Sequence, residues 1–443
     1  IVGVPDLMKA FIFSKSYDIN DADADGEDAD ADEDGEDGEE GDAVSFSFIM
    51  DLSAGNNSGE YDEFGISVAI DGDTMVVGDK HGSFNTPTDP SYSGVAYIFT
   101  RNESGEWDSS YQIITAGEDP DRTDDFGVSV AIHGDTIVVG DNLNSGNIGC
   151  AYIFTRTNGV WGTTGEKITP HYTNTGNFGW SVAVQDDTIV VGNHNDDDGG
   201  SYSGSAYIFT RSIDGWDTGQ KITAYDSAVS DNFGWSVAVH SDTIVVGAKS
   251  DDDGGSWSGS AYIFTRSNDG WDTGQKITAF DASDNDHFGD SVAVHGDTIV
   301  VGAPESNDGV INEQGYSNYT GSAYIFTRND SGQWDTSGQK ILSDGYAGDE
   351  EFGKSVAIYD DTIAVGARKD DFDMGNVFIF IRTNGVWDLS PEKLSRDGLN
   401  LVDGDNFGTD VAISKDIDGT TATETIIVGV PDLMKAFIFS KSY

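Results

Sequence analysis

Two runs of alternating aspartates nine residues apart carry the most evident chemistry in this chain: Asp21-x-Asp23-x-Asp25-Gly26 and Asp30-x-Asp32-x-Asp34-Gly35. Alternate carboxylates with glycine at the sixth place are how an oxygen-rich loop wraps a calcium ion, and Asp32 falls at the twelfth position of the first loop. Both runs lie in a tract, 18–42, that is almost without apolar side chains and cannot build a core. Its charges repel one another within a Debye length of about 8 Å, which leaves a second reading: an extended, solvated spacer with diffuse counter-ions. The loops Asp196-Asp197-Asp198-Gly199 and Asp251-Asp252-Asp253-Gly254 pose the same alternative between a calcium site and a charged loop tip.

Other reactive groups point away from catalysis. His133, His240 and His295 recur at one position of a repeat, the turn after a strand, and read as serving that turn. There is no G-x-S-x-G elbow, no H-E-x-x-H and no phosphate loop, so the chain reads as a non-enzyme. Asn-x-Ser/Thr sequons stand at Asn56, Asn102, Asn318 and Asn329, all in connections between strands, where N-linked glycans would be tolerated on a secretory route. Cys150 is the single cysteine and takes the place of Ser205, Ser260 and Ser322, which excludes a disulfide framework. A formal charge of −56 and a pI near 4.1 argue against nucleic-acid partners and anionic membranes. No apolar stretch approaches the roughly 20 residues needed for membrane insertion.

The elements that must position these groups come from a repeat. A Phe-Gly pair opens each copy, at Phe64, Phe126, Phe178, Phe233, Phe288, Phe352 and Phe407, in steps of 52 to 64 residues. Each copy holds four short runs rich in Val, Ile, Tyr and Phe, bounded by Gly, Asp, Asn and Ser. In the copy beginning at Phe233 these predict strands over 236–240, 243–247, 260–266 and 271–278. Seven small sheets cannot each bury both faces alone, so the expected fold is all-β, a seven-bladed β-propeller of four-stranded antiparallel blades. Phe of each Phe-Gly pair and the fourth-strand Trp107, Trp161, Trp216, Trp271, Trp334 and Trp387 are placed between blades. Arg101, Arg156, Arg211, Arg266, Arg328 and Arg382 end the third strands and are expected, with the fourth-strand lysines, to pair with Asp between blades.

The motifs F-G-x-S-V-A, V-V-G-A as at Val245 to Ala248, and G-x-A-Y-I-F resemble the FG-GAP repeat, the blade of the integrin alpha-subunit propeller. That resemblance covers 64–443 and implies an extracellular or cell-surface setting. Blades of that family often carry D-x-D-x-D-G-x-x-D calcium loops between first and second strands. Here that connection is a turn such as His295-Gly296-Asp297, and Asp416-Ile417-Asp418-Gly419 keeps only a fragment, with Ala422 at the last ligand position.

The ends of the chain repeat each other. The 17 residues IVGVPDLMKAFIFSKSY stand at 1–17 and again at 427–443, so the sequence reads as a window cut from a larger periodic unit of 426 residues. From its start at Ile1 the chain is expected to carry no signal peptide, processing having removed one. Three parts are expected: 1–17, a copy of blade-seven strands that ends a preceding unit; 18–42, the acidic linker; and 43–443, the propeller. The seventh blade lacks its own Trp-type fourth strand, and Val44 to Leu52 supplies a candidate. Along it Val44, Phe46, Phe48 and Met50 would meet Phe437 and Phe439 of the same unit and close the ring, or it would pair with 1–17 and complete the preceding unit. The expected function is a structural subunit of an extracellular fibre, self-assembling through strand exchange or tandem linkage. The alternative is an adhesion propeller that binds a glycan or surface protein through loop aromatics such as Tyr92, Tyr202, Trp257, Tyr316 and Tyr319.

Overall fold

The computed structural model describes residues 11–13, 15–18, 45–55, 62–82, 93–102, 104–117, 125–143, 148–171, 176–307, 319–343, 349–396, 398–418 and 421–441, with the backbone alone at 11–13 and 15–18. It is nearly all-β: seven antiparallel sheets form a seven-bladed propeller. Blade four is typical, with strands Phe233–His240, Thr243–Ala248 and Ser260–Ser267, and a fourth strand split into Gly270–Trp271 and Gln275–Ile277. The predicted boundaries therefore hold, and the extra length at the first strand comes from a bulge between Phe233 and Val237. The first strands line the axis and touch one another in turn, with Asp410–Asp418 of blade seven closing against Ser67–Asp71 of blade one.

Alternation along the strands explains the core. In Ser-Ala-Tyr-Ile-Phe of the third strands of blades three, four and five both faces are buried, because each blade is sandwiched between two others. Phe126 is fully buried among Ala69, Ile98 and Ile114 of blade one and Tyr152 and Phe154 of its own blade, and Trp161 joins the same cluster. Burying one such ring contributes roughly 2 to 3 kcal/mol relative to leaving it in water.

The repeated glycines are where backbones meet. A methyl group on Gly247 would stand 2.1 Å from the Gly289 carbonyl oxygen of the next blade. Gly289 itself has φ +91°, a conformation that glycine alone adopts without strain. Beside this contact Ser236 Oγ donates to the same Gly289 carbonyl at 2.8 Å, and Ser67, Ser129, Ser181, Ser291 and Ser355 repeat the bond around the ring. Small residues on the innermost strand thus zip one blade to the next.

Blade seven is assembled from both ends of the chain. Its strands Asp410–Asp418, Thr421–Val430 and Lys435–Lys441 are joined by Ser47–Leu52, antiparallel to Lys435–Lys441, with Phe48 opposite Phe439 and Asp51 opposite Phe437. The expected calcium fragment at 416–418 is instead strand: Asp416 pairs with Thr423 and receives Arg101 Nη1 at 3.5 Å. Gly419 lies outside the described residues.

Candidate functional site

The seam at blade seven is where two copies of one sequence meet a single position. Phe11 is paired with Val428 and Ile12 with Ile427, the partners that Phe437 and Ile438 also take. Lys15 is opposite Glu424, as Lys441 is, and Phe11 is opposite Asp51, as Phe437 is. Ile12 and Phe13 run parallel to, and in register with, Ile438 and Phe439. The backbone therefore offers both copies one register in the third-strand place of blade seven. Of the fourth-strand residues, Phe46 is 4% exposed and Met50 half-buried, whereas Phe48 is exposed and packs edge-on against Phe439 at 5.8 Å. Val44 lies outside the described residues. The seam also differs chemically from the other six contacts. Asp410 stands where the others have serine, partly buried, and accepts the Val68 amide at 2.7 Å. Burial pushes its carboxyl up to about 7, against the opposing effect of that amide and of Val411.

On the face formed by second-to-third and blade-to-blade connections, the aspartate loops are neutralised from within. Lys221 Nζ meets Asp196 at 2.8 Å and also Asp198. Lys276 Nζ meets Asp251 at 2.8 Å, Asp226 at 3.0 Å and Asp253 at 2.5 Å. Burial disfavours the Lys276 ammonium, yet its hydrogen bonds to these three carboxylates raise its pKa well above the ordinary value. The loops read as candidate calcium sites thus hold an ammonium where an ion would sit. Sequence alone misses this, because loop and lysine are 25 residues apart and only the strand register of Tyr262 against Lys276 joins them.

Exposed aromatics crown the same face. Tyr202 and Trp257 are about half exposed, with φ +57° and +55°, and their amides donate to Asp197 and Asp252 at 2.9 and 2.7 Å. Tyr319 is also exposed, while Tyr92 and Tyr316 lie outside the described residues. The axial channel, about 340 Å³, is lined by the first strands, among them Trp180, Trp235, Asp290 and Lys354. Asp290 is buried between Lys249 and Lys354, at 3.3 and 2.8 Å.

The opposite face carries the arginine network that the repeat predicts. Arg328 grips Asp242 of the preceding blade at 2.8 Å, Arg156 reaches Asp73 at 2.9 Å, and Arg382 reaches Asp297 at 3.0 Å. Each guanidinium also covers its own blade's tryptophan, 5.7 Å from the ring centre for Arg328 over Trp334. His240 and His295 do more than serve their turns: their rings are 4.3 Å apart across two blades, and burial, with the His295 charge, drives His240 down to about 4. Asn102 and Asn329 are exposed, each using Oδ1 to hold its turn, through Ser104 and Ser331 amides at 2.9 Å. Asn56 and Asn318 lie outside the described residues, as do Asp21, Asp23, Asp25, Asp30, Asp32 and Asp34. Among the described residues no group of three or more His, Cys, Asp or Glu is arranged to hold a metal ion, and no helix is long and apolar enough to cross a membrane.

Comparison with curated proteins gives no significant match. A family model described as the FG-GAP repeat matches six times, at 48–99, 109–154, 165–209, 216–264, 271–326 and 336–380. Each matched stretch from the second on begins at or near a fourth strand and ends in the third strand of the following blade. The first begins within Ser47–Leu52, which places that strand as the fourth strand of blade seven. FG-GAP propellers are typically non-catalytic and typical of extracellular or cell-surface proteins. With six repeats matched over most of its length and seven blades around one axis, the chain belongs to the FG-GAP repeat family.

Proposed function

We propose that this protein is a non-enzymatic structural subunit of an extracellular fibre or surface filament, in which propellers join to identical propellers by exchanged or tandem-linked strands. The observation that carries the reading is the shared register: Phe11, Ile12 and Lys15 address the same partners on Thr421–Val430 as their second copies Phe437, Ile438 and Lys441. A unit with one third-strand place and two identical strands for it can close on itself or accept the strand of a neighbour. In this reading the tract 18–42 is the connector, and at about 3.3 Å per residue its 25 residues reach at most about 80 Å, enough to join adjacent propellers. The charge of −56 keeps such polymers soluble in saline media.

Electron microscopy of the purified chain tests this directly. Filaments with a regular axial repeat are expected; discrete discs at all concentrations would contradict it. Repeating the imaging in EDTA tests calcium in the connector, since an unchanged axial repeat would remove the ion from the account.

A second reading, adhesion to a glycan or surface protein, draws on the two exposed aromatics at positive φ. Tyr202 and Trp257 are held by aspartate in a conformation that costs about 1 to 3 kcal/mol, which suits a presented binding surface. Glycan-array binding that is lost in Trp257→Ala, without loss of fold, would support it over the fibre.

A further inference from the structure

One position of the innermost strand escapes the repeat. In blades one to six the Phe-Gly pair is followed by one variable residue and then by Ser-Val-Ala, and in blades three to six the variable residue is Trp180, Trp235, Asp290 and Lys354. All four line the axial channel side by side, because they hold one repeat position in four successive blades. The two indole rings are 4.7 Å apart, and His194, 6% exposed, packs against both at 4.8 Å and braces the pair. Lys249 Nζ stands 3.3 Å from the centre of the Trp235 ring and donates to Asp290 Oδ1 at 3.3 Å, while Lys354 Nζ donates to Asp290 Oδ2 at 2.8 Å. Burial disfavours the Asp290 carboxylate, yet Lys354 and Lys249 hold its pKa below the ordinary value. Two ammoniums thus share one carboxylate, which leaves one positive charge over and N–H groups to spare on both lysines. The acids nearest this triad are engaged elsewhere: Glu305 is held by His287 at 3.2 Å, and Asp410, the other acid of the lining, accepts the Val68 and Val411 amides. Next along the channel wall come the six serines whose hydroxyls donate to glycine carbonyls, so that each oxygen keeps a lone pair for a further donor.

We propose that the axial channel binds one carboxylate-bearing sugar ring, of the hexuronate type. Lys249 and Lys354 receive its carboxylate, Trp180 and Trp235 cover the apolar face of the ring, and the serine oxygens accept from its hydroxyls. A neutral sugar leaves the surplus charge unmatched, and a small carboxylate leaves the indoles uncovered, so neither accounts for the whole set. The cavity, about 340 Å³, is at the small end for ligand sites and suits a single ring. The site is independent of the fibre reading and uses neither Tyr202 nor Trp257, the residues of the second.

The test is a titration of the full chain with sodium glucuronate, read by saturation transfer from protein to sugar in NMR, with glucose and sodium acetate as comparisons. Glucuronate is expected to bind with a Kd of about 1 mM, in keeping with its few atoms, and glucose and acetate about tenfold more weakly or less. Two variants accompany it. Lys354→Gln removes the surplus charge while Lys249 still pairs with Asp290 at 3.3 Å, and so is compatible with the fold. It should weaken glucuronate about tenfold, the worth of one charge-assisted contact. Trp180→Ala, which takes away half of the aromatic platform, should weaken it by a similar factor. No transfer to glucuronate at about 20 times the expected Kd would overturn the proposal. So would equal affinity for glucose or acetate, or undiminished glucuronate binding in Lys354→Gln.

Discussion

One hydrogen atom in place of a side chain sets how closely two blades approach. Gly247 faces the Gly289 carbonyl with no room for a methyl group, so Gly247→Ala is expected to cost about 1 to 3 kcal/mol in a denaturant titration. An unchanged midpoint would mean that the blades separate freely. The lysines carry a second residue-scale prediction. Lys276→Met leaves Asp251, buried and hydrogen-bonded to the ammonium, beside Asp226 and Asp253 without compensation. Breaking such a pair from one side costs about 3 kcal/mol, read as a lower midpoint in the same titration. The glycine and arginine roles were legible in the sequence because they recur at fixed repeat positions beside groups of fixed type. The ammonium in the aspartate loops was not, because a D-x-D spacing looks the same whether metal or lysine neutralises it.

Within blade seven, the seam differs from the other six blade contacts by one substitution. Where serine hydroxyls donate to a glycine carbonyl, Asp410 presents a carboxyl held near 7 by burial. Its unfolded value is about 3.9, so between roughly pH 4 and 7 the folded chain keeps a proton that the unfolded chain has lost. Stability from this group is therefore highest at low pH, falls as pH rises through that window, and levels off above it. Asp410→Ser should flatten that slope and add about 1 to 3 kcal/mol at pH 8 with little gain at pH 4, measured by urea unfolding at both pH values. Equal effects at the two pH values would refute the assignment. The sequence offered Val44 to Leu52 as a fourth strand for the seventh blade, and Ser47–Leu52 fills that place. It could not choose between closure on the same unit and pairing with the first copy, because identical residues have identical preferences; only register shows that both copies address one position.

For the molecule as a whole, seven repeats gave the architecture almost completely. Each supplies the same pattern of buried third strand and small first strand, and a ring is the arrangement in which every blade has two neighbours. The function was less legible because it rests on 18–42, which has no repeat partner within the propeller, and on 1–17, whose copy at 427–443 has the same preferences and so does not tell which chain it completes. The central claim is that the third-strand place of blade seven can be filled by the first copy, including that of another chain. Ser16 is opposite Thr423 in the antiparallel register, a spacing within reach of a disulfide, and the single native cysteine, Cys150, is buried. The most direct measurement is therefore to mix chains carrying Ser16→Cys with chains carrying Thr423→Cys, oxidise them under native conditions and read the mass without reductant. The account predicts a disulfide joining the two different chains through residues 16 and 423. Only uncrosslinked chains, with both thiols still free, would contradict it.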